Sequence, residues 1–363
     1  MAVRDAGALQ HARSIRLEEI SAVLRGGREP AMTDVARLAG VSHQTVSRVL
    51  NGHPNVRERT RLRVRAAIEQ LGYRPNRAAR ALATGKSQHL GVVAQNSTLF
   101  GPTSLLAAFE LAAAAQGFVV SVRRVRVLDR TSIAEAVEHH REQRVAGIMV
   151  IAPTASADEA LAEVPPDIPL VAVDGDSDRG VTAVTVDQEA GGQLATRHLL
   201  EAGHKTVWHV AGPSDWFDAA GRVRGWQRAL EEAGVEVPPV NPADWSAASG
   251  YRTGLMLARM PEVTAVFAAN DHLALGLLRA LFERGRSVPD DVSVVGFDDV
   301  PEASFFIPPL TTVRPDFDKV AAEALGVLMD RITEVDHVDH VPTRRTVTPT
   351  LVERNSVAAP PGG

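Results

Sequence analysis

The sequence predicts an all-α head followed by a larger α/β core with two doubly wound parallel-sheet subdomains. The head is basic: residues 31–86 hold 11 Arg or Lys against 3 Asp or Glu, although the 363-residue chain has a formal net charge of −5. Apolar residues recur at helical spacing in this head. From Leu90 onward, short apolar runs alternate with amphipathic stretches rich in Ala and Leu, which is the pattern of βαβ units.

Composition excludes several classes of protein. The chain has no Cys, so it has neither disulfides nor Cys-ligated zinc. It has no apolar run of about 18 residues and no signal-peptide pattern. The zincin, serine-hydrolase and dinucleotide-binding motifs are also missing from the sequence. We therefore expect a cytoplasmic protein that is not an enzyme, spans no membrane and uses neither a metal nor a cofactor.

The first two predicted helices form a compact pair. Thr33 can cap a helix over residues 34–39, and Gly40 is placed to end it. Ser42 can then cap a second helix over residues 43–50. Two helices joined by a short turn that contains Gly are the arrangement of a helix-turn-helix motif.

The second helix has two chemically distinct faces. At 100° per residue, the face that can pack holds Thr45, Val46, Val49 and Leu50. The opposite face carries polar groups, from His43, Gln44, Ser47 and Arg48. An Arg can form paired hydrogen bonds with guanine, and a Gln can do so with adenine. This face is therefore suited to reading base edges in DNA.

A third helix is predicted to support the pair. Its expected buried stripe consists of Thr60, Val64, Ile68 and Leu71, with Gly72 as its end. Its other side carries five arginines, which are Arg57, Arg59, Arg61, Arg63 and Arg65. Guanidinium groups placed in this way suit contact with DNA phosphates. A basic helix that only faces solvent is the alternative.

The stretch Thr-Asp-Val-Ala-Arg-Leu-Ala-Gly-Val-Ser-His-Gln-Thr-Val-Ser-Arg-Val-Leu-Asn, residues 33–51, resembles the signature of the lac repressor (LacI/GalR) family. The resemblance implies a regulator of transcription that binds an operator. It implies that the base-reading residues are His43, Gln44 and Arg48. The residues implied to contact the DNA backbone or to support the motif are Thr33, Ser42, Thr45, Ser47, Asn51 and Thr60.

A short linker follows the head over residues 74–87. Pro75 ends the third helix, and the Ala-rich residues 77–83 can form one or two helical turns that are marginal alone in water. This linker resembles the family's hinge helix, which pairs across a dimer and enters the minor groove of the operator. The resemblance implies that Leu82 is a wedge between base pairs. Its companions in the groove would be Asn76, Arg77 and Ala79.

Eight apolar runs are the predicted strands of the core. They are residues 90–94, 118–122, 146–151, 170–173, 183–186, 207–210, 265–268 and 292–296. Their spacing indicates eight or nine strands in two parallel sheets covered by helices. Ligands bind beyond the carboxyl ends of the strands in such sheets. The polar residues that follow these runs are Gln95, Ser97, Asp174, Asn270, Asp271, Asp298 and Asp299.

From Leu90 to Glu353 the core resembles the effector domain of the same family, which is itself similar to periplasmic sugar-binding proteins. The strongest matches are Val-Ala-Gly-Pro (210–213), Asp-Trp-Ser-Ala-Ala-Ser-Gly-Tyr (244–251), Ala-Asn-Asp-His-Leu-Ala-Leu-Gly (269–276) and Ser-Val-Val-Gly-Phe-Asp-Asp (293–299). The resemblance implies an effector site formed by Leu99, Leu105, Asp174, Arg222, Trp245, Asn270, Asp298 and Phe317. Arg224 is the alternative to Arg222, because the local match is loose.

The chemistry of this set suits a sugar. Carboxylates, an amide and a guanidinium can bond sugar hydroxyls, and an aromatic ring can pack on the C–H face of a pyranose. Each residue also has a structural alternative. Asn270 and Asp298 could cap helices or turns, Trp245 could belong to the core, and Arg222 could form a surface ion pair.

We expect five segments along the chain: a flexible extension (1–30), the helix-turn-helix domain (31–73), the hinge helix and linker (74–87), the effector-binding and dimerisation core (88–354) and a disordered tail (355–363). The N-terminal subdomain of the core should take about 88–186 and 315–345. The C-terminal subdomain should take about 187–314 and 346–354. Because the tail has no leucine heptads, we expect a homodimer.

Taken with the resemblance, these features predict a nucleoid-associated repressor of carbohydrate-utilisation genes. It should leave a pseudo-palindromic operator when a mono- or disaccharide, such as a galactoside, binds the core. One alternative is a regulator of the same family that responds to a purine or to a protein co-regulator. Another is a sugar-binding transport protein, against which the basic head and the missing export signal both argue.

Overall fold

The computed structural model describes residues 30–50, 52–74, 87–165, 167–175, 181–333 and 342–361. The chain divides after residue 86 into two compact units, which correspond to the head and the core. The predicted extension and most of the predicted hinge lie outside the described residues. No helix in the described part of the chain is long and apolar enough to cross a membrane.

The head consists of three helices, which are α1 (Met32–Ala39), α2 (His43–Leu50) and α3 (Glu58–Leu71). Gly40 ends α1 with φ at 62°, a left-handed conformation that Gly adopts without strain. The start of α1 corrects one prediction, because Thr33 lies inside its first turn rather than capping it. The carboxylate of Asp34 accepts the backbone N–H of Ala31 at 2.9 Å and so lets the helix begin earlier.

One apolar side chain from each helix forms the centre of the head. Val35, Val46 and Val64 are fully buried there. Full burial of such a side chain contributes about 1.5–3 kcal/mol, so these contacts hold the three short helices together. The stripe predicted on α3 is only partly correct: Val64 and Leu71 are buried, Thr60 and Ile68 are half-buried, and Ala67 is also part of the core.

Among the described residues, the core has twelve strands in two sheets of six. Those of the first sheet are β1 (His89–Gln95), β2 (Val119–Val125), β3 (Gly147–Ile151), β4 (Leu170–Val173), β5 (Ala183–Val186) and β11 (Arg344–Val347). Those of the second sheet are β6 (Trp208–Ala211), β7 (Asn241–Pro242), β8 (Ala265–Ala268), β9 (Ser293–Phe297), β10 (Thr311–Arg314) and β12 (Thr350–Val352). The eight predicted strands are therefore confirmed to within a few residues, and β7, β10, β11 and β12 are additional.

In the part of the core that the structure describes, eight α-helices cover the sheets. They are α4 (Phe100–Ala115), α5 (Arg130–Glu142), α6 (Ala155–Leu161), α7 (Gln188–Glu201), α8 (Phe217–Glu232), α9 (Ala247–Leu257), α10 (Asp271–Glu283) and α11 (Phe317–Thr333). A short 3₁₀ helix spans Pro301–Phe305. Each sheet thus has helices on both faces, as the buried apolar strands require.

The first sheet has the order β11-β5-β4-β3-β1-β2, with all strands parallel. One apolar layer joins its strands to α4 and α11, and the other joins them to α5 and α6. The second sheet has the order β12-β10-β9-β8-β6-β7, with α9 and α10 on one face and α7 and α8 on the other. Its edge strand β12 runs antiparallel to β10, which departs from the all-parallel prediction.

The described residues cross between the two subdomains three times. The crossings lie at Asp187, between β5 and α7, at residues 315–316, between β10 and α11, and at residues 348–349, between β11 and β12. The last crossing comes slightly later than predicted, because β11 continues to Val347. Since the carboxyl ends of strands in both sheets meet these crossings, a ligand crevice between the subdomains is expected there.

The end of the chain corrects the predicted disordered tail. Ser356 is fully buried; its Oγ donates to the Val294 carbonyl at 2.6 Å and accepts the Thr311 N–H at 2.8 Å. Ala358 exchanges hydrogen bonds of 3.0 Å with the Ser293 side chain. Residues 355–361 are therefore an ordered part of the C-terminal subdomain. Composition alone gives no sign of these partners, because they come from distant strands.

Candidate functional site

The exposed face of α2 presents three polar side chains. His43, Gln44 and Arg48 are exposed, whereas Val46 and Val49 point into the core of the head. Positions four residues apart lie on the same side of a helix, so Gln44 and Arg48 can reach one groove of DNA together. The structure thus places the predicted base-reading residues on one accessible face.

The residues predicted to support this face have different positions. Ser42 begins α2, where its Oγ accepts the Thr45 N–H at 3.2 Å. Thr33 and Ser42 are exposed, and Thr45, Ser47 and Thr60 are half-buried. The remaining predicted DNA contacts, which are Asn51, Asn76, Arg77, Ala79 and Leu82, lie outside the described residues.

The basic side of α3 is mostly accessible. Four of the five predicted arginines are exposed, namely Arg57, Arg59, Arg63 and Arg65. Arg61 differs from the prediction because it is half-buried, pairs with Glu58 at 3.4 Å and donates to the His53 carbonyl at 3.4 Å. The exposed guanidinium groups give the head a surface suited to the sequence-independent attraction of phosphates.

A cavity lies between the two subdomains of the core. From the C-terminal subdomain it is lined by Trp216, Asp218, Arg222, Trp245, Asn270 and Asp298. From the N-terminal subdomain and the crossings it is lined by Leu99, Phe100, Gly101, Pro102, Asp174, Val186, Gln188, Pro315 and Phe317.

Arg222 is the central polar residue of this cavity. It is only 4% exposed, and its Nε donates to the Gln188 Oε1 at 2.9 Å. Its Nη2 lies 3.7 Å from an oxygen of Asp218 and 3.6 Å from one of Asp298. Both separations exceed a good hydrogen bond. The guanidinium group therefore keeps hydrogen-bonding capacity for a ligand at this point.

Aromatic rings hold Arg222 in place and form part of the wall. Its guanidinium carbon is 3.6 Å from the centre of the Phe297 ring and 5.4 Å from that of Trp245. Trp216 meets Trp245 edge to face at 5.7 Å. Stacking of this kind fixes a cation without neutralising it. The cavity thus combines rigid aromatic walls with a charged floor.

Three carboxyl groups lie around this single guanidinium. Burial raises the pKa of Asp174 well above its usual range, and the charge of Asp218 adds to this effect. Burial also raises the pKa of Asp218. It raises the pKa of Asp298 to about 7, against the lowering influence of Arg222. These shifts follow mainly from burial of the carboxyl groups in a low-dielectric cavity, which disfavours their charged form.

Three of the lining residues have an unusual backbone. Asp174, Trp245 and Asp298 have φ values of 61°, 68° and 101°, which non-glycine residues rarely adopt. Asn270 contributes to one of these bends: its Nδ2 donates to the Trp245 carbonyl at 3.2 Å while its Oδ1 caps α10 by accepting the Leu273 N–H. Strained residues of this kind concentrate at ligand sites.

Two polar atoms of the wall have no hydrogen-bond partner among the described residues. They are the Oδ1 of Asp218 and the indole N–H of Trp245. Because an unsatisfied buried polar group costs free energy, one acceptor and one donor are ready for a ligand. The described residues contain no group of three or more His, Asp or Glu suited to a metal ion.

The structure brings together seven of the eight predicted effector residues. Leu105 is the exception, because it is 1% exposed and packs in the apolar layer between α4 and the first sheet. Arg222 rather than Arg224 faces the cavity, since Arg224 is on the surface beside Glu189. Asn270 is both a helix cap and a lining residue. The two interpretations offered for it are therefore compatible.

Sequence reasoning missed Gln188, Trp216 and Asp218. One signal for Asp218 was available, because it precedes Arg222 by one helical turn on α8, where such pairs interact. Gln188 directly follows the crossing after β5, which is a position that could also have been considered. Asp271 and Asp299 follow strands as predicted but do not line the cavity. Asp271 instead accepts hydrogen bonds from the Val300 N–H and the Thr312 hydroxyl.

Two family models match the chain. Residues 31–76 match the bacterial regulatory proteins of the lacI family, and residues 196–357 match the periplasmic binding protein-like domain. The matched segments coincide with the head and with much of the core. The chain is thus similar to known proteins in both units.

Individual proteins are similar over most of their length. The chain is 33% identical to the lactose operon repressor of Escherichia coli (strain K12), covering 90% of both sequences. It is 32% identical to the transcriptional repressor PurR of Haemophilus influenzae (strain PittEE), covering 89% of this chain and 97% of PurR. A crystal structure of the lac repressor dimer bound to operator and the anti-inducer ONPF superposes with a TM-score of 0.80 at 32% identity, covering 92% of this chain and all of that one.

Proposed function

Because the chain belongs to the LacI family of bacterial DNA-binding transcriptional regulators, which are not enzymes, we propose that it is a cytoplasmic repressor of carbohydrate-utilisation genes. In this proposal a homodimer binds a pseudo-palindromic operator through its heads. A small neutral sugar then enters the cavity of each core, and the repressor releases the DNA.

The charge balance of the cavity is the observation that carries the sugar assignment. Three carboxyl groups surround one guanidinium, and two tryptophans line the same wall. An anionic effector needs several positively charged groups or N–H donors, and the cavity offers it one guanidinium against three carboxyl groups. A neutral sugar offers several O–H donors to these acceptors, and its C–H face can pack on an indole ring. This combination favours a polyhydroxylated neutral ligand.

A purine is the second candidate because of the similarity to PurR. A planar base could stack on an aromatic side chain, but it has fewer donors than a sugar for three carboxyl groups. A panel of lactose, cellobiose, galactose, ribose, hypoxanthine and guanine would separate the two classes in a thermal-shift assay. A compound present at 100 times its Kd should add about 2.7 kcal/mol of stability. Stabilisation by purines alone would contradict the sugar assignment.

The base-reading role of α2 gives the first prediction. Gln44→Ala or Arg48→Ala should weaken specific operator binding by about 1–3 kcal/mol, because each removes paired hydrogen bonds to a base edge. Binding to unrelated DNA should change little, since the α3 arginines contact phosphates. Selection of binding sites from a random DNA pool measures the preference. Arg65→Ala is the control and should weaken all sequences alike; an unchanged preference in the Gln44 or Arg48 variant contradicts its assignment.

The predicted hinge gives a second expected result, although its residues lie outside the described part of the chain. Leu82 from each subunit should insert at the centre of the operator and bend it. Leu82→Ala should therefore lose most of the bend. Gel shifts with circularly permuted DNA fragments measure the bend angle, and a variant that bends the operator as fully as the parent would show that Leu82 is not a wedge.

Exposed apolar side chains support the homodimer. The C-terminal subdomain exposes Leu275, Phe282, Phe305 and Ile307, and Ile307 is 94% exposed. Exposed apolar residues that lie together mark interaction surfaces, and Phe305 and Ile307 are only two residues apart. A two-fold dimer would match two heads to two half-sites. The lac repressor to which the chain is similar is a dimer on its operator. We therefore propose that a second copy of the chain covers these side chains.

The dimer prediction can be tested by charge insertion. Ile307→Asp should shift the protein from dimer to monomer and weaken operator binding at least tenfold, because each subunit alone reads one half-site. Sedimentation at several protein concentrations measures the shift. Val240→Asp, which changes a less exposed residue of the same subdomain, serves as the control and should stay dimeric. Equal association of both variants would place the interface elsewhere.

A further inference from the structure

We propose that Asp299 is a positioning residue that transmits effector binding from Asp298 to the crossings between the two core subdomains. The proposal rests on the proposed function, because it concerns how a bound sugar changes the arrangement of the core. Asp299 itself does not line the cavity.

The two neighbouring aspartates serve different partners. They follow β9 directly, with φ values of 101° for Asp298 and 50° for Asp299. Asp298 lines the cavity, with one carboxylate oxygen 3.6 Å from Arg222. The carboxylate of Asp299 is instead bound outside the cavity. Because one planar peptide bond joins the two residues, a displacement of Asp298 moves the backbone of Asp299 directly.

Asp299 holds two arginines from different strands. Its Oδ2 accepts from the Nε of Arg314 at 2.6 Å, and its Oδ1 accepts from the Nη2 of Arg354 at 2.6 Å. The Asp299 side chain is 8% exposed. Hydrogen bonds between charged groups are short and strong when water is largely excluded. Both oxygens of one carboxylate are therefore committed to fixing these two strands.

Both partners lie in or just after strands that adjoin crossings between the subdomains, although only Arg314 is itself next to a crossing. Arg314 is the last residue of β10, and the following residues lead through the second crossing to α11 in the other subdomain. Arg354 follows β12, which the chain reaches from β11 through the third crossing. Arg354 also donates to the carbonyl of Leu310 at 2.7 Å. Leu310 directly precedes β10, so Arg354 contacts the start of that strand. One carboxylate thus joins β10 and β12, the two strands of this subdomain that adjoin the second and third crossings.

A mechanical link follows from this arrangement. A sugar that binds Asp298 displaces this residue. The neighbouring Asp299 moves with it and transmits the displacement to β10 and β12. The chain leaves β10 for the N-terminal subdomain and enters β12 from it, so a small shift at the cavity becomes a change in subdomain orientation. Asp299 is thus connected both to the cavity, through Asp298, and to the strands at the crossings. A residue that couples two sites must be affected by both of them.

The test separates sugar binding from DNA release. The full-length Asp299→Asn variant keeps the shape of the side chain but lacks the charge that holds both arginines. With whichever sugar of the panel named above binds the parent most tightly, its Kd by calorimetry should stay within about threefold of the parent. Release of operator DNA by the same sugar should need at least ~10-fold more sugar or be incomplete, because the coupling is lost.

Two further variants make the result decisive. Arg314→Gln removes one of the two hydrogen bonds of Asp299 at a residue whose side chain is 54% exposed. This variant should therefore fold even if the Asp299 variant does not. It should likewise bind sugar as the parent does but release DNA less readily. Glu189→Gln is the matched control, since Glu189 also holds two arginines, Arg224 and Arg228, but on the outer surface of α7. This control should release DNA as the parent does.

The remaining outcomes speak against the proposal in different ways. Normal release by both the Asp299 and Arg314 variants overturns the coupling role. Parallel loss of sugar binding and release would mean that Asp299 only shapes the cavity. If the parent itself releases operator with no sugar of the panel, the proposed function fails, and the coupling proposal fails with it.

Discussion

Replacement of Asp298 by Ala should abolish DNA release by sugar while operator binding without sugar persists. Asp298 is 9% exposed and shares Arg222 with Asp218. Without this carboxylate, sugar hydroxyls would be buried with no acceptor, at a cost of about 1–3 kcal/mol or more for each group left unpaired. We therefore expect the sugar Kd to rise by at least ~10–100-fold.

The measurement is a titration of the operator complex with the sugar found in the thermal-shift panel. Asp290→Ala, which changes an exposed aspartate of the same subdomain, is the control and should respond like the parent. Release of the Asp298 variant at the parent's sugar concentration would show that the effector binds elsewhere.

Asp298 should also make stability depend on pH. Burial raises its pKa to about 7 in the folded protein, whereas an unfolded Asp titrates near about 3.9. Between these values the native state binds more protons than the unfolded state, so this group's contribution to stability is present in acid and is lost as the pH rises toward 7. As the pH rises from 5 to 8, the free energy of unfolding of the Asp298→Asn variant should increase relative to that of the parent by about 1–3 kcal/mol. Urea unfolding of both proteins at several pH values tests the sign; a difference that does not change with pH contradicts it.

Replacement of Arg222 by Met should give the largest loss of stability. Arg222 lowers the pKa of Asp174, Asp218 and Asp298, so its removal leaves three buried carboxyl groups without a cation. Removing one partner of a buried ionic group costs about 3–5 kcal/mol. The loss of stability should be greatest at pH 8 and smaller at pH 5. At pH 5 the carboxyl groups with a raised pKa are protonated and no longer repel one another.

Two comparisons isolate the cause of this effect. Arg224→Met changes an exposed arginine on the same helix, whose pairing with Glu189 is solvated; such surface pairs contribute about 0–1 kcal/mol. Adding Asp218→Asn to the Arg222 variant should recover part of the stability, because one buried charge is then removed. Equal losses at pH 5 and pH 8 would point to lost packing on Phe297 rather than to charge.

Much of the fold could be predicted because its determinants are local. Buried parallel strands such as Leu170–Val173 and Ala265–Ala268 are uninterrupted apolar runs, and their exact bounds follow from that pattern. The missed strands have no such run. Strand Arg344–Val347 is mostly exposed, and Thr311–Arg314 is rich in Thr; both form because neighbouring strands offer them hydrogen bonds. Partners of that kind are distant in sequence.

Lining residues of the cavity could be predicted where they directly follow a predicted strand or lie in a motif shared with the family. Asp174, Asn270 and Asp298 were found in this way and do line it. Leu105 was not placed correctly, because its helical position turns it toward the sheet. Asp218 and Trp216 were missed since they belong to the start of a helix that only the packing of the two subdomains brings to the cavity. The side-chain partners of Asp299 likewise depend on strands that no local pattern indicates.

The order of the strands has a consequence for synthesis of the protein. The first sheet takes β11 and the second takes β12, and both strands come from the last part of the chain. As the chain grows from its N-terminus on the ribosome, the helices of the head can fold from contacts close in sequence, whereas neither sheet can be completed until almost the whole chain has emerged. A premature stop before Arg344 should therefore yield a folded DNA-binding head on an unfinished core. Such a product would have exposed sheet edges, which chaperones and proteases recognise, and it would lack a complete cavity between the subdomains.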